Sequence, residues 1–357
     1  MRRSCRRWSG LLALAACLGL SACGDDTAPP RSDAAVQRDT GLTPDGPAAD
    51  APVTTPDGPQ APDAAVTPDL TIKPDAPPPL QLTWTPMTSP TTSTLYAIWG
   101  SGPKDVWAVG STGLVVHYDG AAWIKVTVPN TYPFYTVGGS GPGEVIAGGY
   151  GGYTNTYDGT TWSALINAST SSINSIWGAG PKSIYASCDG GKVLRYDGST
   201  WKDVSPTVLT KSYELNGISG SGAADIWAVG YNGTIVHFDG TAWTQATSYT
   251  TGTFNAVYAA GPKAAYAAGG GGMIAMYDGT TWIQASAGNT SINAIHGSGP
   301  ANVFAVGYSG GIYHYNGFGL SWAKQSSTVT KSLYGVWVAG PKEVFVVGES
   351  GTILHGT

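Results

Sequence analysis

The hydrophobic pattern repeats from residue 82 onward, and one repeat contains four short apolar stretches separated by turn residues. In the first complete copy these stretches are residues 95–100, 106–109, 114–118 and 122–128. The second stretch is continuously apolar instead of alternating, which is typical of a strand covered on both faces. The pattern therefore predicts four-stranded sheets, with strands a to d in chain order and strand b buried between neighbouring sheets.

Turn residues and tryptophans recur with the same period. A Gly-Pro pair follows strand a at Pro103, Pro142, Pro181, Pro262, Pro300 and Pro341, and Gly222-Ala223 replaces it in the fourth copy. An Asp-Gly pair follows strand c, as at Asp119-Gly120, and predicts a two-residue hairpin turn with positive φ at both central residues. The tryptophans of the series are Trp84, Trp123, Trp162, Trp201, Trp243, Trp282 and Trp322, spaced by 39, 39, 39, 42, 39 and 40 residues. Such a period predicts a propeller or a solenoid.

The two ends of the repeat region complement each other. The last copy, residues 333–357, stops after strand c, whereas residues 82–87 form an unpaired strand d ahead of the first copy. Pairing of these ends would complete a seventh sheet and leave no open edge in the array. The predicted fold is therefore all-β, a seven-bladed β-propeller of four-stranded blades over residues 81–357, with the last blade closed by the N-terminal strand.

The N-terminus carries a targeting signal. Arg2, Arg3, Arg6 and Arg7 precede an apolar run over residues 11–20, which is too short to span a bilayer. The run ends in Leu20-Ser21-Ala22-Cys23, which resembles the lipobox of bacterial lipoproteins. That resemblance implies a signal peptide over residues 1–22, lipidation of Cys23 and attachment to the membrane through this lipid. The alternative is an ordinary secretory signal, and Arg6-Arg7-Trp8 leaves the general and twin-arginine export routes open.

Residues 23–80 are predicted to form a disordered tether between the lipid and the propeller. Residues 24–80 hold ten Asp and thirteen Pro against three basic residues and no aromatic residue. Such a segment buries too little apolar surface to offset its ordering entropy. The expected localisation is the bacterial cell envelope, at the outer membrane or cell surface rather than the inner membrane.

The repeat also resembles known propeller families. Residues 82–357 are similar to seven-bladed propellers with YVTN or BNR-like repeats, and the Asp-Gly-x-x-Trp hairpin is similar to the Asp-box. The hairpin departs from the Asp-box because Gly follows Asp directly, and the Gly-His and Trp-Asp signature of WD40 repeats is absent. The resemblance implies the fold, but a fold of this kind carries many functions.

Composition excludes several functions. The formal net charge is -5 with no basic stripe, so no nucleic-acid partner is expected. Sialidases of the Asp-box group need an arginine cluster, whereas this propeller contains one arginine, Arg195. No metal-ligand spacing or phosphate-binding glycine motif is found, so no catalytic residue, metal or cofactor is predicted. Cys188, alone after removal of the signal and lipidation of Cys23, is predicted to be an inert thiol.

Residues that recur in every blade are predicted to be scaffold. The tryptophan series is assigned to the blade cores, and four histidines share one strand-c position with Thr156, Arg195 and Met276. These histidines are His117, His237, His314 and His355. A histidine repeated in this way is expected to support the fold rather than to catalyse a reaction.

Positions that change chemistry between blades are the candidate ligand-binding residues. One column lies in the turn between strands b and c, and comprises Ser111, Tyr150, Asp189, Tyr231, Gly270, Tyr308 and Glu349. The other opens strand a, and comprises Tyr96, Tyr135, Asn174, Asn216, Asn255, Asn293 and Tyr334. Both columns are predicted to surround one mouth of the ring. A three-residue insertion near residues 205–214 adds Lys211 and Glu214 there. A structural role is the alternative for both columns, above all for asparagines that satisfy backbone groups.

Three functional hypotheses remain open. The first is a non-catalytic envelope lipoprotein whose monomeric propeller presents one face to a protein partner. Tyrosines with amide and acidic neighbours also suit sugars, so the second is a lectin-like module that binds carbohydrate at several blades. The third is an enzyme of unrecognised type.

Overall fold

The computed structural model describes residues 78–211 and 213–357. Their strands form seven four-stranded antiparallel sheets that stand as the blades of a β-propeller. The predicted fold class and number of blades are therefore confirmed. No helix in these residues is long and apolar enough to cross a membrane. The predicted signal peptide, Cys23 and most of the tether lie outside the described residues.

The strands follow the predicted order in every blade. The first strand of the described residues is β1 (Trp84–Pro86). Blade 1 contains β2 (Leu95–Gly102), β3 (Asp105–Gly110), β4 (Val115–Tyr118) and β5 (Trp123–Val126). Blade 2 contains β6 (Phe134–Gly141), β7 (Glu144–Gly149), β8 (Tyr153–Tyr157) and β9 (Ile166–Asn167). Blade 3 contains β10 (Ile173–Gly180), β11 (Ser183–Cys188), β12 (Val193–Tyr196) and β13 (Trp201–Asp203).

The remaining blades repeat this arrangement. Blade 4 contains β14 (Leu215–Gly222), β15 (Asp225–Gly230), β16 (Ile235–Phe238) and β17 (Trp243–Gln245). Blade 5 contains β18 (Phe254–Gly261), β19 (Ala264–Gly269), β20 (Met273–Tyr277) and β21 (Trp282–Ser286). Blade 6 contains β22 (Ile292–Gly299), β23 (Asn302–Gly307), β24 (Ile312–Tyr315) and β25 (Ala323–Lys324). Blade 7 combines β26 (Leu333–Gly340), β27 (Glu343–Gly348) and β28 (Ile353–Gly356) with β1.

One turn of 3₁₀ helix joins strands b and c in every blade. These turns are Ser111–Gly113, Tyr150–Gly152, Asp189–Gly191, Tyr231–Gly233, Gly270–Gly272, Tyr308–Gly310 and Glu349–Gly351. Their last glycine has positive φ, as at Gly233 with φ +67°, and a Cβ there would lie 1.8 Å from the Thr250 carbonyl oxygen. Glycine therefore allows the following d–a loop to pack directly on the turn.

The ring closes as predicted. Strand β1 pairs antiparallel with β28, with Trp84 opposite Gly356 and Pro86 opposite Leu354. Backbone bonds extend the pairing on both sides, because the Thr83 amide donates to the Thr357 carbonyl at 2.9 Å and the Met87 amide donates to the Ile353 carbonyl at 3.0 Å. The N-terminal strand therefore supplies strand d of the last blade.

Blade 6 holds the same N-terminal segment through one glutamine. The Gln325 side chain is 2% exposed. Its Oε1 accepts the Leu82 amide at 3.0 Å, and its Nε2 donates to the Leu80 carbonyl at 2.7 Å. Gln325 thus satisfies two backbone groups at the entry to the closing strand, a contact that the repeat pattern did not predict.

Aromatic packing joins neighbouring blades. A tryptophan of the series in one blade meets the strand-b aromatic ring of the blade before it. The ring pairs are Trp162 with Trp107 at 5.5 Å, Trp282 with Trp227 at 5.1 Å, Trp322 with Tyr266 at 6.2 Å, and Trp84 with Phe304 at 6.1 Å. All four pairs are edge-to-face. Trp84 makes the same contact as its counterparts, so the core role predicted for the tryptophan series is confirmed.

The Asp-Gly hairpins differ from the predicted turn. The loop in blade 1 has four residues, because Tyr118 pairs with Trp123. Only Gly120 has positive φ, and the Asp119 carboxylate accepts the amides of Ala121 and Ala122 at 2.8 and 2.9 Å. The prediction of a two-residue turn with two positive φ angles was therefore wrong, because the aspartate side chain stabilises a four-residue loop instead. In blade 2 the equivalent bonds, led by the Thr161 amide, lower the pKa of Asp158 to about 2.

The repeated histidines have scaffold contacts. His117 Nε2 lies 2.7 Å from Asp105 Oδ1, and the Trp107 indole N–H donates to the same oxygen at 3.0 Å. The His117 and Trp107 rings stack at 3.9 Å. Blade 4 repeats this arrangement with Asp225, and blade 6 uses Asn302 in place of the aspartate. These bonds join strand c to the start of strand b, which supports the predicted structural role.

The Gln325 contact predicts a stability effect. We expect Gln325→Leu to lower the free energy of unfolding by about 2–4 kcal/mol, because a buried amide and a partly buried carbonyl lose their partner. Urea denaturation of the full chain measures this. The matched control is Gln284→Leu, at an exposed position of β21, which should change stability by less than about 0.5 kcal/mol. Equal effects of both substitutions would contradict the role of Gln325 in closure.

His314 predicts a dependence of stability on pH. Burial lowers the pKa of His314 to about 4, below the ordinary value of 6.5. Below pH 6.5 the unfolded chain therefore binds a proton that the folded chain does not, and stability falls until the pH reaches about 4. At pH 5 this loss should be about 2 kcal/mol. Urea denaturation at pH 7.5 and pH 5 should show a smaller pH difference for His314→Gln than for the parent chain, and an unchanged difference would contradict this assignment.

Candidate functional site

Both predicted columns of variable residues lie at one end of the ring, here called the mouth. In every blade the first residue of the 3₁₀ turn donates its amide to the carbonyl of the residue before strand a. The bonds are Ser111 to Thr94 (3.2 Å), Tyr150 to Pro133 (3.1 Å), Asp189 to Ser172 (3.0 Å), Tyr231 to Glu214 (3.0 Å), Gly270 to Thr253 (3.2 Å), Tyr308 to Ser291 (3.1 Å) and Glu349 to Ser332 (2.9 Å). This placement confirms that the two columns share an end.

Four blades use the strand-a column for structure. Each asparagine donates its Nδ2 hydrogen to the first carbonyl of strand a in the next blade. The bonds are Asn174 to Leu215 (3.0 Å), Asn216 to Phe254 (2.8 Å), Asn255 to Ile292 (2.8 Å) and Asn293 to Leu333 (2.8 Å). These amides tie blades 3 to 7 together, so the asparagine part of the column serves the scaffold.

The other three blades carry tyrosine at this position and form a continuous aromatic surface. Tyr334, Tyr96 and Tyr135 follow one another on blades 7, 1 and 2. The ring centroids of Tyr334 and Tyr96 are 5.9 Å apart, and those of Tyr96 and Tyr135 are 6.3 Å apart. Tyr308, from the turn of blade 6, extends the series with its ring 6.5 Å from Tyr334. All three pairs are edge-to-face, and we call these four residues the tyrosine arc.

A carboxylate lies beside the arc. Glu349 opens the turn of blade 7, is exposed, and accepts the Ser332 amide through Oε2 at 3.4 Å. Burial, and with smaller effects the neighbouring Tyr308, Glu349 and Tyr96, raises the pKa of Tyr334. The four groups therefore lie close enough to interact electrostatically. Sequence comparison between blades had selected each of these residues, and the structure brings them together.

Asp189 has a different environment in blade 3. Its Oδ1 accepts a hydrogen bond from Asn174 Nδ2 at 3.1 Å. Because Asn174 also donates to the Leu215 carbonyl, Asp189 belongs to the inter-blade hydrogen bonds. The structure places it at the mouth, as predicted, but within the scaffold.

The inserted loop reaches the mouth between blades 3 and 4. It connects β13 to β14, and its Glu214 carbonyl accepts the amide of Tyr231. Asn232 Nδ2 donates to the Tyr213 hydroxyl at 3.3 Å, and Lys211 Nζ lies 5.8 Å from the Tyr213 ring centre. Lys211, Glu214 and Tyr231 thus form a second group, on blades other than those of the tyrosine arc.

A stack of three tyrosines on blade 2 was not predicted. Tyr132 lies between Tyr150 and Tyr153, with ring centroids 5.9 and 4.9 Å away. Tyr150 is 51% exposed and Tyr132 is 40% exposed. Tyr132 belongs to a d–a loop whose residues do not align between blades, so comparison of equivalent positions could not select it. Tyr150, the more exposed of the two, offers the larger surface for contact.

The opposite end of the ring has fewer side chains that could bind a ligand. A shallow depression of about 520 Å³ there is lined by Trp99 and by glycine-rich ends of strand a in blades 1 to 3. Its Ser101 and Ser140 hydroxyls already donate to Asp105 and Glu144. We find no group of three or more potential metal-ligating side chains within residues 78–211 and 213–357. The tyrosine arc is therefore the strongest candidate binding surface of the described chain.

Cys188 ends β11 at the position that glycine occupies in the other blades. It is fully buried, and burial raises the pKa of its thiol to about 12. The thiol therefore stays protonated at neutral pH, in agreement with the inert role predicted for it.

The asparagine bonds predict a contrast between neighbouring positions of the mouth. We expect Asn255→Ala to lower the free energy of unfolding by about 1–2 kcal/mol, because the Ile292 carbonyl loses its partner. Asn289→Ala, in the exposed part of a d–a loop, is the control and should have an effect below about 0.5 kcal/mol. Denaturant unfolding of both variants measures the difference. A neutral Asn255→Ala would mean that the strand-a asparagines do not support the ring.

Solved structures share this fold. A structure described as YCF48 bound to D1 peptide has a TM-score of 0.64 and 20% identity, covering 79% of this chain and 96% of that chain. YCF48 from Cyanidioschyzon merolae has a TM-score of 0.63 and 20% identity, covering 76% and 98%. The WD40 β-propeller domain of Doa1 has a TM-score of 0.63 and 11% identity, covering 78% and 96%. No protein-family model and no curated protein sequence matches the chain. These similarities show that the described chain has a β-propeller fold.

Proposed function

We propose that this protein is a non-catalytic lipoprotein of the bacterial envelope whose tyrosine arc binds a segment of a protein partner. The observation that carries the proposal is the arc itself, four tyrosine rings in consecutive edge-to-face contact across blades 6, 7, 1 and 2. Tyrosine supplies a large, rigid contact area at low conformational entropy cost and is enriched at protein interfaces. The lipobox-like sequence and tether support the envelope location.

The neighbouring residues support recognition rather than catalysis. The acidic groups at the starts of strand b bind histidine or serine, as in Asp105 and Asp225, and the Asp-Gly carboxylates stabilise hairpin loops. Through these hydrogen bonds the carboxylates stabilise the fold. The structural neighbour YCF48 is described as bound to a peptide, which supports a similar use of the propeller in this chain.

A lectin-like function is the second candidate, because Tyr150, Tyr231 and Tyr308 occupy equivalent turns of three blades. Their surroundings differ, however. Tyr150 stacks on Tyr132, Tyr231 bonds to the inserted loop, and Tyr308 belongs to the tyrosine arc. Equivalent sugar sites need equivalent surroundings, so the structure favours one composite site over several repeated sites.

Selection from a random peptide library displayed on phage tests this proposal. We expect the full chain to enrich peptides whose affinity falls at least about tenfold with the Tyr96→Ala/Tyr334→Ala variant, because two central aromatic contacts are lost. Tyr231→Ala, at the mouth on blade 4 but outside the tyrosine arc, is the control and should retain binding within about twofold. Melting curves of all variants verify the fold.

A glycan array probed at several glycan densities provides the opposing result. Density-dependent glycan binding that needs Tyr150, Tyr231 and Tyr308, together with no peptide enriched by the arc, would replace the protein-partner proposal with the lectin-like one. Enriched peptides that bind both variants equally would place the contact surface elsewhere on the propeller.

A further inference from the structure

The chemistry of the partner can be narrowed by comparing blade 7 with blade 3. Both blades carry an acid at the first position of the turn, Glu349 and Asp189. In blade 3 the second residue of strand a is Asn174, whose amide donates to Asp189 at 3.1 Å. In blade 7 that second residue is Tyr334, a ring without an amide donor. The same two positions thus form a satisfied scaffold pair in one blade and a carboxylate beside an aromatic ring in the other.

Glu349 carries its charge without a basic partner. Its carboxylate accepts the Ser332 amide at 3.4 Å, a long and weak hydrogen bond. Within the described part of the chain no lysine, arginine or histidine forms an ion pair with it. The side chain is exposed, so a ligand that approaches the arc can reach the carboxylate.

The rings add a second attraction for positive charge. Tyr334 lies between Tyr308 and Tyr96, at centroid distances of 6.5 and 5.9 Å and interplanar angles of 85° and 64°. Each of the three rings is only half-buried, and the negative face of an aromatic ring attracts cations, by about 0.5–1 kcal/mol for each exposed contact. Glu349 bonds to Ser332, two residues before Tyr334, through both its backbone amide and its carboxylate, so the carboxylate lies beside these rings.

We propose that Tyr308, Tyr334, Tyr96 and Glu349 form a cation-binding notch that takes a lysine or arginine side chain of the partner segment. This inference rests on the proposed function, and it specifies which residue type the partner presents. An extended segment that crosses the mouth would place its basic residue in the notch and an apolar residue toward Tyr135. A purely apolar segment would leave Glu349 without a counter-charge.

Nuclear magnetic resonance of the full chain, with ¹³C-labelled tyrosine rings, tests the notch directly. The probe is tetramethylammonium chloride, and tert-butanol is its control because it has nearly the same shape without the charge. We expect saturable shifts at Tyr308, Tyr334 and Tyr96 with tetramethylammonium and much smaller, non-saturating shifts with tert-butanol. Sodium chloride at equal concentration corrects for ionic strength.

Two substitutions assign the effect to the notch. Glu349→Gln keeps the size and one acceptor oxygen but removes the charge, and it should raise the dissociation constant of tetramethylammonium about fivefold. Tyr334→Leu should do the same by removing the central ring. Tyr231→Leu should leave it within about twofold. Equal shifts from tert-butanol, or an unchanged dissociation constant in Glu349→Gln, would show an apolar slot rather than a cation site.

Peptides enriched on the full chain separate this inference from the proposed function. Replacement of their lysine by norleucine, or of their arginine by citrulline, should weaken binding to the parent chain and have little effect on binding to Glu349→Gln. Peptides that bind the arc regardless of charge would retain the proposed function and overturn the notch. Tetramethylammonium binding without any enriched peptide would retain the notch and overturn the protein-partner function.

Discussion

Packing of each blade against the next is the constraint on which the structure depends. Strand b has no exposed face, as in β3 and β15, where the five residues after the first are all buried. A single blade would therefore expose one apolar surface on each side, and only a closed ring buries all of them. Closure requires β1 to pair with β28 and Trp84 to pack on Phe304, as its counterparts pack in other blades. The mouth exists because this ring is closed.

The mouth of the closed ring has two parts, one that stabilises the ring and one that exposes aromatic rings. The four asparagines on blades 3 to 6 each donate to a backbone carbonyl in strand a of the next blade and so join neighbouring blades. The tyrosines on blades 7, 1 and 2 contact one another through their rings. A repeat architecture permits this division, because a position that is structural in some blades can change chemistry in others. Tyr96, Tyr135 and Tyr334 replace the asparagine of their column, and Tyr308 and Glu349 open the turns of blades 6 and 7.

Much of the fold could be predicted because the residues that repeat have strong preferences for turns or for buried positions. The Asp-Gly pairs, the Gly-Pro turns and the tryptophan series each mark one point of every blade, and the unpaired strand at residues 82–87 indicated the closure. The conformation of the Asp-Gly loops could not be read correctly, because a carboxylate that accepts amides replaces the second positive φ angle. Gln325 was missed because it occurs once and bonds to the chain 243 and 245 residues away.

The candidate site was predictable only in part. The arc residues could be found because their columns change chemistry between aligned blades. For the strand-a column, a structural role of its asparagines was the alternative prediction. The partners of the strand-c histidines had a usable signal. An acid or an asparagine stands twelve residues before each of them, as in Asp105 before His117 and Asn302 before His314. Tyr132 had no such signal, because its loop does not align between blades, and its stacking with Tyr150 and Tyr153 is set by three-dimensional packing.

The proposed function requires that the tyrosine arc at the mouth of the closed ring contacts the partner. Hydrogen–deuterium exchange of the full chain, with and without a bound peptide, tests it most directly because it reports contact along the whole backbone. We predict slower amide exchange in the d–a loops over residues 88–94 and 326–332 and in the turn Glu349–Gly351, all of which adjoin the arc. Protection confined to outer strands such as β9 and β21, or to the turns between strands a and b, would show that the partner binds away from the arc.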